Sequence, residues 1–339
     1  MRRRQDLNID THGHYVPASF LDGLAAQRRL FPSVKVINDK PGMRFSFAGL
    51  PQTRPVGPLL VDLAKRKEWL GKARVDCQLV GSWLDIFGYE LPPEEGADWC
   101  RFMNECTLKD IKALPALAPL ACVPLQSGKL AAQVLEEALG QGFHGAMIGT
   151  QPKGQLGKLD DPDLNAFWEA CNAHKVTLMV HPMFVCGDDR VKDYDLMNAV
   201  GRVSDTSIAL ARLMFAGHLT RYPNMSLLIS HGGAALPYAL GRFKRNNTIH
   251  KGEFGDAEAE FKKLYFDSVL FEPRALRYLV DVAGGDKVCL GSDFPFPIGD
   301  HDPVKVVEDT PLTAAERRAI LGETAARIFK VDCSCGASL

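Results

Sequence analysis

Eleven residues near the end of the chain read Lys287-Val-Cys-Leu-Gly-Ser-Asp293-Phe-Pro-Phe-Pro297. The apolar run up to Gly291 is typical of a buried strand, and a carboxylate follows where that strand should end. The two prolines then prevent the segment from continuing as a strand or turning at once into a helix. We therefore predict that Asp293 is held at a rigid strand exit, although a single Asp there is more often a turn former or a helix cap.

Seven more short apolar segments precede this one, and helical patterns separate most of them. The eight predicted strands span residues 7–11, 75–81, 117–124, 145–149, 176–180, 225–230, 264–267 and 287–291. Short apolar strands between helices are typical of a parallel sheet that is buried on both faces. Eight such units favour an α/β fold of the (β/α)8 TIM barrel type over an open sheet. A nucleotide-binding sheet is disfavoured, because the sequence has no Walker A motif and no Gly-x-Gly-x-x-Gly after its first strand.

The sequence indicates a single domain over residues 1–330, with an irregular insertion at about 15–55. We expect residues 331–339 to form a flexible C-terminal tail, and the role of Cys333 and Cys335 in that tail stays open. The other predicted helices fall at 56–74, 93–114, 130–139, 163–174, 195–221, 240–246, 273–282 and 314–328. Thr313 and Glu316 have the spacing of a capping box before the last of them.

Charge and hydropathy exclude several classes of protein. The 339 residues carry a net charge of -1, so there is no broad basic field to attract nucleic acid. No stretch reaches the roughly 18 to 20 apolar residues of a membrane span, and the basic N-terminus lacks the apolar region of a secretory signal. Most of the nine cysteines, including Cys77, Cys122, Cys171 and Cys289, stand singly in apolar patterns. Buried reduced thiols of this kind are typical of a cytoplasmic protein.

Four histidines stand at the same kind of position as Asp293. His12 and His14 follow the first predicted strand, two residues apart, so that both rings can point to one side. His181 ends the fifth strand and His231 ends the sixth. The C-terminal strand ends of such a barrel meet at one mouth, where its chemistry is found. Each residue alone favours a structural role, but together they predict a site for zinc or, less selectively, manganese or iron.

Several motifs carry a resemblance to a known family. They are Ile9-Asp-Thr-His-Gly-His-Tyr-Val-Pro17, Gly145-Ala-Met-Ile-Gly-Thr150, Val180-His-Pro182, Ser230-His-Gly-Gly233 and Leu290-Gly-Ser-Asp-Phe-Pro-Phe-Pro297. The chain resembles the amidohydrolase superfamily, and within it the decarboxylases similar to 2-amino-3-carboxymuconate 6-semialdehyde decarboxylase. The pair His12-x-His14 favours this subgroup over hydroxybenzoate decarboxylases, which often have Glu-x-His.

The resemblance implies roles for these residues. His12, His14, His181 and Asp293 would bind one divalent metal, most often Zn²⁺ with Mn²⁺ as the alternative. His231 would act as the catalytic acid and base beside a metal-bound water, with Asp293 as its catalytic partner. Arg242 matches an arginine that binds substrate and is often lent by a neighbouring subunit, which implies a homodimer or higher homo-oligomer.

Substrate contacts are less defined by the sequence. The family's early loop carries an arginine for a second substrate carboxylate, and either Arg44 or Arg54 could match it. Trp83, Phe87, Phe294 and Phe296 are candidates for an apolar pocket wall, with a core role equally open for each. The early loop and the aromatic loop around Trp83 and Phe87 differ from the family pattern, so the substrate is open within the class of small carboxylated aromatic or muconate-type acids.

The predicted activity is non-oxidative decarboxylation with release of carbon dioxide, which makes the protein a carboxy-lyase. A mononuclear hydrolase or hydratase that acts on an amide, lactone or C–N bond uses the same residues and stays an alternative. The fourth strand ends at Thr150 without the lysine that bridges two metals in binuclear relatives, and Lys153 lies three residues further on. A non-catalytic binding barrel is disfavoured, because it predicts a closed metal shell that leaves no role for His231.

Overall fold

The structure, a computed structural model, describes residues 7–183 and 188–332. Eight parallel strands form a barrel, and an antiparallel hairpin lies outside it. The strands are β1 (Ile9–His14), β2 (Val34–Asp39), β3 (Gly42–Phe47), β4 (Cys77–Gly81), β5 (Leu117–Pro119), β6 (Ala146–Gly149), β7 (Thr177–His181), β8 (Ser226–Ile229), β9 (Tyr265–Asp267) and β10 (Val288–Cys289).

Hydrogen bonds close the barrel in the order β1-β4-β5-β6-β7-β8-β9-β10. Parallel pairing links β1, β4 and β5 in one group and β6 to β10 in the other. Ala121 joins β5 to β6, since its N–H donates to Gly145 O at 2.8 Å. Thr11 joins β1 to β10, since its N–H donates to Leu290 O at 2.8 Å. The predicted (β/α)8 TIM barrel is confirmed.

Helices cover the outside of the barrel. They are α1 (Ala18–Gln27), α2 (Pro58–Val61), α3 (Leu63–Lys72), α4 (Pro93–Asp110), α5 (Gly128–Gly140), α6 (Asn165–Ala173), α7 (Arg202–Phe215), α8 (His218–Arg221), α9 (Leu236–Ile249), α10 (Ala257–Phe261), α11 (Pro273–Ala283), α12 (Pro303–Asp309), α13 (Ala314–Arg318) and α14 (Thr324–Phe329). The strands between them are buried on both faces, and one continuous apolar cluster includes residues of both the strands and the surrounding helices. None of the helices in the described part of the chain has the length and hydropathy needed to cross a membrane.

The insertion at residues 15–55 is folded rather than irregular, so that expectation is wrong. It consists of α1 and the hairpin β2–β3, whose strands pair from Val34 opposite Phe47 to Asp39 opposite Gly42. Phe47 packs edge-on against Trp99 of α4, with 5.4 Å between ring centroids. Sequence periodicity missed the hairpin because its strands are short and half-exposed. The hairpin sets the path of the segment that follows it, which returns to the barrel mouth.

Three other boundaries differ from the sequence prediction. β1 extends to His14, so both histidines lie within the strand, and its register shifts between Asp10 and Gly13. The helical patterns at 195–221 and 314–328 are each interrupted by a π-helical turn, at Met197–Gly201 and Ala319–Glu323. Periodicity cannot detect such a turn, because one extra residue per turn shifts the apolar face only slightly.

Several local expectations hold. Thr313 and Glu316 form the predicted capping box at the start of α13. Cys122, Cys171 and Cys289 are buried free thiols. Cys77 is disulfide-bonded, so the expectation of a reduced thiol is wrong there, because strand periodicity reports burial and not redox state. Cys333 and Cys335 lie outside the described residues.

Candidate metal centre

Five side chains meet at the C-terminal mouth of the barrel. His12 and His14 come from β1, His181 ends β7, and His231 and Asp293 follow β8 and β10. The Nε2 atoms of His12 and His14 are 3.2 Å apart. Oδ1 of Asp293 lies 3.3 Å from Nε2 of His12 and 3.1 Å from Nε2 of His14. The sequence therefore predicted correctly that these five residues lie together.

The backbone at the strand exits holds the two residues that come from loops. Asp293 N–H donates to His12 O at 2.8 Å, so the carboxylate is fixed directly to β1. Asp293 and His231 both have left-handed backbone, with φ of 59° and 54°. Such a conformation is uncommon for residues other than glycine, and it persists only where the surroundings impose it.

Each of three imidazoles is oriented by an acceptor behind it. Nδ1 of His12 donates to Oδ2 of Asp267 at 2.7 Å, and Nδ1 of His181 donates to Pro182 O at 2.8 Å. Nδ1 of His14 lies 3.2 Å from Ser82 O. Because these oxygens only accept, Nδ1 carries a hydrogen in each ring, and Nε2 is the nitrogen that faces the mouth. Metal-binding histidines have this arrangement of outer acceptors.

Nε2 of His181 is a direct indication that the cluster fits a metal. This atom is buried and has no hydrogen-bond partner among the described residues. A buried polar atom without a partner costs about 1 to 3 kcal/mol, so a native site rarely leaves one unexplained. One ligand atom from each of His12, His181, His231 and Asp293 lies within 4.8 Å of the others, which is compatible with one small cation.

Electrostatics also favour a cation here. Burial and then the charges of His14 and His12 hold the pKa of His181 well below its ordinary value, so its ring is neutral. Burial opposes the charge on His12, but the neighbouring Asp293 and Asp267 raise the pKa of His12 to about 10. Burial likewise opposes the charge on Asp293, while the charge of His12 holds the pKa of Asp293 well below its ordinary value. The carboxylates therefore stabilise one positive charge at the centre of the cluster.

His231 differs from the other three histidines in exposure. Its side chain is 17% exposed, whereas those of His12 and His14 are fully buried. Nε2 of His231 lies 3.4 Å from Oδ2 of Asp293, the carboxylate oxygen that does not face His12. His231 also lines the cavity above the cluster. The ring can therefore reach both the cluster and a molecule in the cavity.

The cavity above the cluster has a volume of about 450 Å³, with His231 and Asp293 at its inner end. Arg54 and Phe296 line its wall, as predicted, and Arg54 is the candidate of the two early arginines that reaches the site. Arg44 instead forms an ion pair with Asp39 within the hairpin.

The other predicted substrate residues lie elsewhere. Trp83 lines an adjoining cavity, which shares Arg54 and Phe296 with the first. Phe87 is buried against Tyr89, with 5.4 Å between the ring centroids. Phe294 stacks on Trp69 at 4.1 Å. These two rings are core residues and line neither cavity.

Arg242 is exposed on α9 and is absent from the residues that line the cavity of the same chain. Its predicted role in a neighbouring subunit's site stays a prediction. Sequence reasoning missed Arg202, which lines the cavity from the start of α7. Nothing in the sequence distinguishes this arginine from other helical arginines, because its position depends on how α7 approaches the mouth.

The end of β6 contains no lysine ligand. Thr150 at this exit donates its hydroxyl to Asp205 of α7, and Asp205 also accepts Met183 N–H at 3.0 Å. Lys153 forms ion pairs with Asp161 at 2.8 Å and Asp163 at 2.7 Å. The exit therefore has a structural hydrogen-bond network, which agrees with a mononuclear site.

Comparison with known proteins identifies the family. The family model for amidohydrolases matches residues 9–331, which is almost the whole chain. The protein therefore belongs to the amidohydrolase family, as its motifs indicated.

Several similar proteins with assigned activities are decarboxylases. A 2-amino-3-carboxymuconate-6-semialdehyde decarboxylase of Dictyostelium discoideum is 27% identical over 281 residues, covering 79% of this chain and 76% of the relative. A gamma-resorcylate decarboxylase of Polaromonas is 25% identical and covers 62% of this chain and 70% of the relative. The crystal structure of 5-carboxyvanillate decarboxylase from Sphingomonas paucimobilis has a TM-score of 0.78 at 22% identity, covering 96% of this chain and 99% of that one.

Proposed function

We propose that this protein is a metal-dependent decarboxylase that releases carbon dioxide from a small carboxylated aromatic or muconate-type acid without an oxidant. The single observation that carries the proposal is the set of three imidazoles whose Nδ1 atoms are tied to acceptors, so that their Nε2 atoms converge beside Asp293. Asp293 and His231 connect this set to a cavity that also contains arginine side chains, which bind carboxylates well.

His12, His14, His181 and Asp293 are the residues that would hold the metal. Nitrogen and carboxylate ligands suit both zinc and manganese, and zinc is the expectation from the sequence. A solved 5-carboxyvanillate decarboxylase from Novosphingobium aromaticivorans contains manganese, with a TM-score of 0.79 at 18% identity and coverage of 97% of each chain. Manganese is therefore the first ion to test. When bound, the metal supplies a Lewis acid that orients and polarises an oxygen of the acid.

His231 supplies the proton in the proposed reaction. Its Nε2 contacts Asp293 Oδ2, and its ring is exposed to the cavity, so it can transfer a proton to the carbon that bears the departing carboxylate. The C–C bond then breaks, its electron pair restores the double bond whose electrons took up the proton, and carbon dioxide leaves. The net reaction replaces the carboxylate by a hydrogen and consumes one proton, and so no other reactant is needed. The charge of Arg54, which stays paired with Asp85, would attract the acid, and Phe296 would contact its apolar part.

A direct test is to measure carbon dioxide and the remaining acid together. The purified metal-loaded protein is incubated with 2,6-dihydroxybenzoate, 5-carboxyvanillate and 2-amino-3-carboxymuconate semialdehyde in turn. The proposal predicts one carbon dioxide released for each molecule of the accepted acid that disappears. Loss of the acid without carbon dioxide would contradict it.

A hydratase is the second candidate function. A 2-keto-4-carboxy-3-hexenedioate hydratase of Sphingobium is 22% identical over 252 residues and covers 68% of this chain and 71% of the relative. The same proton transfer by His231 would then serve addition of water to a double bond. A product heavier than the substrate by one water, with its carboxylates retained, would support this reading.

Two finer expectations complete the proposal. We expect a homodimer or larger homo-oligomer in which Arg242 of one subunit serves the site of another, and its exposure on α9 is compatible with this. A cytoplasmic location is supported by the buried free thiols, although the disulfide at Cys77 does not favour it.

A further inference from the structure

One arginine is fully buried beside the strand that carries His12 and His14. Arg66 belongs to α3, and its side chain has no contact with solvent. Its Nη2 donates to the backbone oxygen of His14 at 2.5 Å, and its Nη1 donates to Oε1 of Gln78 at 2.6 Å. Its Nε has no hydrogen-bond partner among the described residues. The direction of the guanidinium is therefore set by these two acceptors.

The same arginine also packs on the residue that follows Asp293. The guanidinium carbon of Arg66 lies 4.8 Å from the centre of the Phe294 ring. Trp69, one turn further along α3, stacks on the same ring with 4.1 Å between the centroids. Phe294 is thus held by two residues of α3, so this helix contacts both strand exits that carry the proposed ligands, at His14 and at Asp293.

Gln78 of β4 links Arg66 to a buried carboxylate. Its Oε1 accepts from Arg66, and its Nε2 donates to Oδ2 of Asp10 at 2.7 Å. Gln78 can lie this close to β1 because Gly13, between the two histidines, has no side chain. A Cβ atom at that position would be only 2.6 Å from Cδ of Gln78. The amide of Gln78 therefore has one orientation, in which it joins a guanidinium to a carboxylate.

Asp10 connects the two strands from which His12 and Asp293 come. Its Oδ1 accepts the N–H groups of His12 at 2.9 Å and Ser292 at 3.0 Å. Its Oδ2 accepts the hydroxyl of Ser292 at 2.6 Å, in addition to the amide of Gln78. These four donors fill a carboxylate, which has about four acceptor positions. The carboxylate thereby fixes the backbone of one proposed ligand and of the residue before another.

We infer that Arg66 is a positioning residue for the metal centre, and that it sets the spacing of His12, His14 and Asp293 through their backbones. The inference rests on the proposed function, in which these three residues help to hold the metal. Arg66 lines neither cavity at the barrel mouth, so it does not act by contact with the acid.

The cost of burying Arg66 supports this role. Burial of a charged group costs several kcal/mol, and an apolar side chain would fill the same space without that cost. The benefit of an arginine there lies in the hydrogen bonds that it directs to His14 and Gln78. Metal ligands must stand within about 0.2 Å of their ideal distances, so a small shift of β1 against β10 lowers affinity.

Manganese affinity tests the inference without turnover. Manganese is titrated into metal-free protein in competition with a chelator, with no acid present. Arg66→Met removes the guanidinium but fills most of its space, and we expect about tenfold weaker manganese binding, as for other outer partners of metal ligands. Arg66→Lys keeps the charge and one donor for His14, so it should lose less affinity than the methionine variant.

A second substitution tests whether the contacts act as one chain. Gln78→Met should weaken manganese binding at least about threefold. The double variant Arg66→Met/Gln78→Met should bind about as tightly as Arg66→Met alone, because both changes interrupt the same connection to Asp10. Independent residues would instead give losses that multiply.

Asn104→Ala is the matched control. Asn104 is a buried polar residue of α4 that binds the backbone N–H of Cys122 at 2.8 Å and its oxygen at 3.0 Å. It therefore holds the chain just beyond β5, a strand that presents none of the proposed ligands. We expect this variant to lower the melting temperature but to bind manganese within about threefold of the wild type.

Two results would overturn the inference. The first is a folded Arg66→Met protein that binds manganese within about threefold of the wild type, and the second is a double variant whose losses multiply. If Arg66→Met shows no cooperative thermal transition, Gln78→Met decides by the same threefold limit. Failure of the proposed function gives a different pattern, in which no acid releases carbon dioxide while manganese affinity still depends on Arg66.

Discussion

Replacing Asp267 by Asn tests whether the outer hydrogen bonds of the cluster control the metal site. Asp267 is fully buried at the end of β9, and its Oδ2 accepts from Nδ1 of His12 at 2.7 Å. Its Oδ1 accepts the N–H groups of Gly232 at 2.8 Å and Val269 at 3.1 Å. An asparagine can keep the two backbone bonds with its carbonyl oxygen, and its NH₂ group then faces His12.

The substitution should invert the tautomer of His12. An NH₂ group donates, so Nδ1 of His12 must accept, and its hydrogen moves to Nε2, where the metal would bind. Loss of such an outer partner typically lowers metal affinity by about 10- to 100-fold, or about 1.4 to 2.8 kcal/mol. We expect the upper end of that range, because the ligand atom itself is blocked.

The assay is a titration of manganese, and separately zinc, into metal-free protein in competition with a chelator of known affinity. Asp205→Asn is the matched control, because Asp205 is also buried at the barrel mouth but bonds to Thr150, Gln151 and Met183. We expect that control to change metal affinity less than threefold. An Asp267→Asn protein that folds and binds metal as tightly as the wild type would refute the reasoning.

Three further predictions concern catalysis and stability. His231→Ala should retain its metal, as measured by elemental analysis. Its turnover should fall at least about 100-fold, which is the usual contribution of an acid–base group. Loss of metal in this variant would make His231 a ligand. Thr313→Ala removes the capping box with Glu316 and should lower the free energy of unfolding by about 1 kcal/mol in urea titrations, and an unchanged midpoint would contradict the role of the cap. Burial lowers the pKa of His218 from 6.5 to about 4. Between these pH values the unfolded chain binds a proton at this residue and the folded protein does not. The free energy of unfolding therefore falls as the pH drops from 6.5 to 4. Since one pKa unit corresponds to about 1.4 kcal/mol, this group contributes at most about 3.5 kcal/mol to the loss. Between pH 6.5 and pH 4, the free energy of unfolding of His218→Phe should fall correspondingly less. If that free energy falls with pH at the same slope in both proteins, the explanation is wrong.

The barrel and its metal cluster could be predicted because both depend on local patterns. Each strand is a short apolar run, and each proposed ligand stands at the end of such a run or within three residues of it. In a parallel barrel all of these ends lie at one mouth, so sequence position translates directly into proximity. His181 and Asp293 could thus be placed together although 112 positions separate them in the sequence.

The cavity wall could not be predicted in the same way. Arg202 lines the cavity as the first residue of α7, directly after a π-helical turn that periodicity cannot detect. By residue type, Phe87 was a candidate for the pocket wall. Its side chain instead lies in the core, where it packs against Tyr89. The hairpin that precedes the Arg54 segment was also missed, because half-exposed strands lack a clear apolar pattern.

The most direct test of the central claim is carbon dioxide release measured against metal content. The protein is stripped with a chelator, reloaded stepwise with manganese or zinc, and assayed with an acid that the wild type consumes, alongside His12→Ala. The account predicts that release rises linearly to a plateau at about one metal per chain, and that His12→Ala neither retains the ion nor releases carbon dioxide. Full activity in metal-free protein, or a plateau only at two metals per chain, would contradict it.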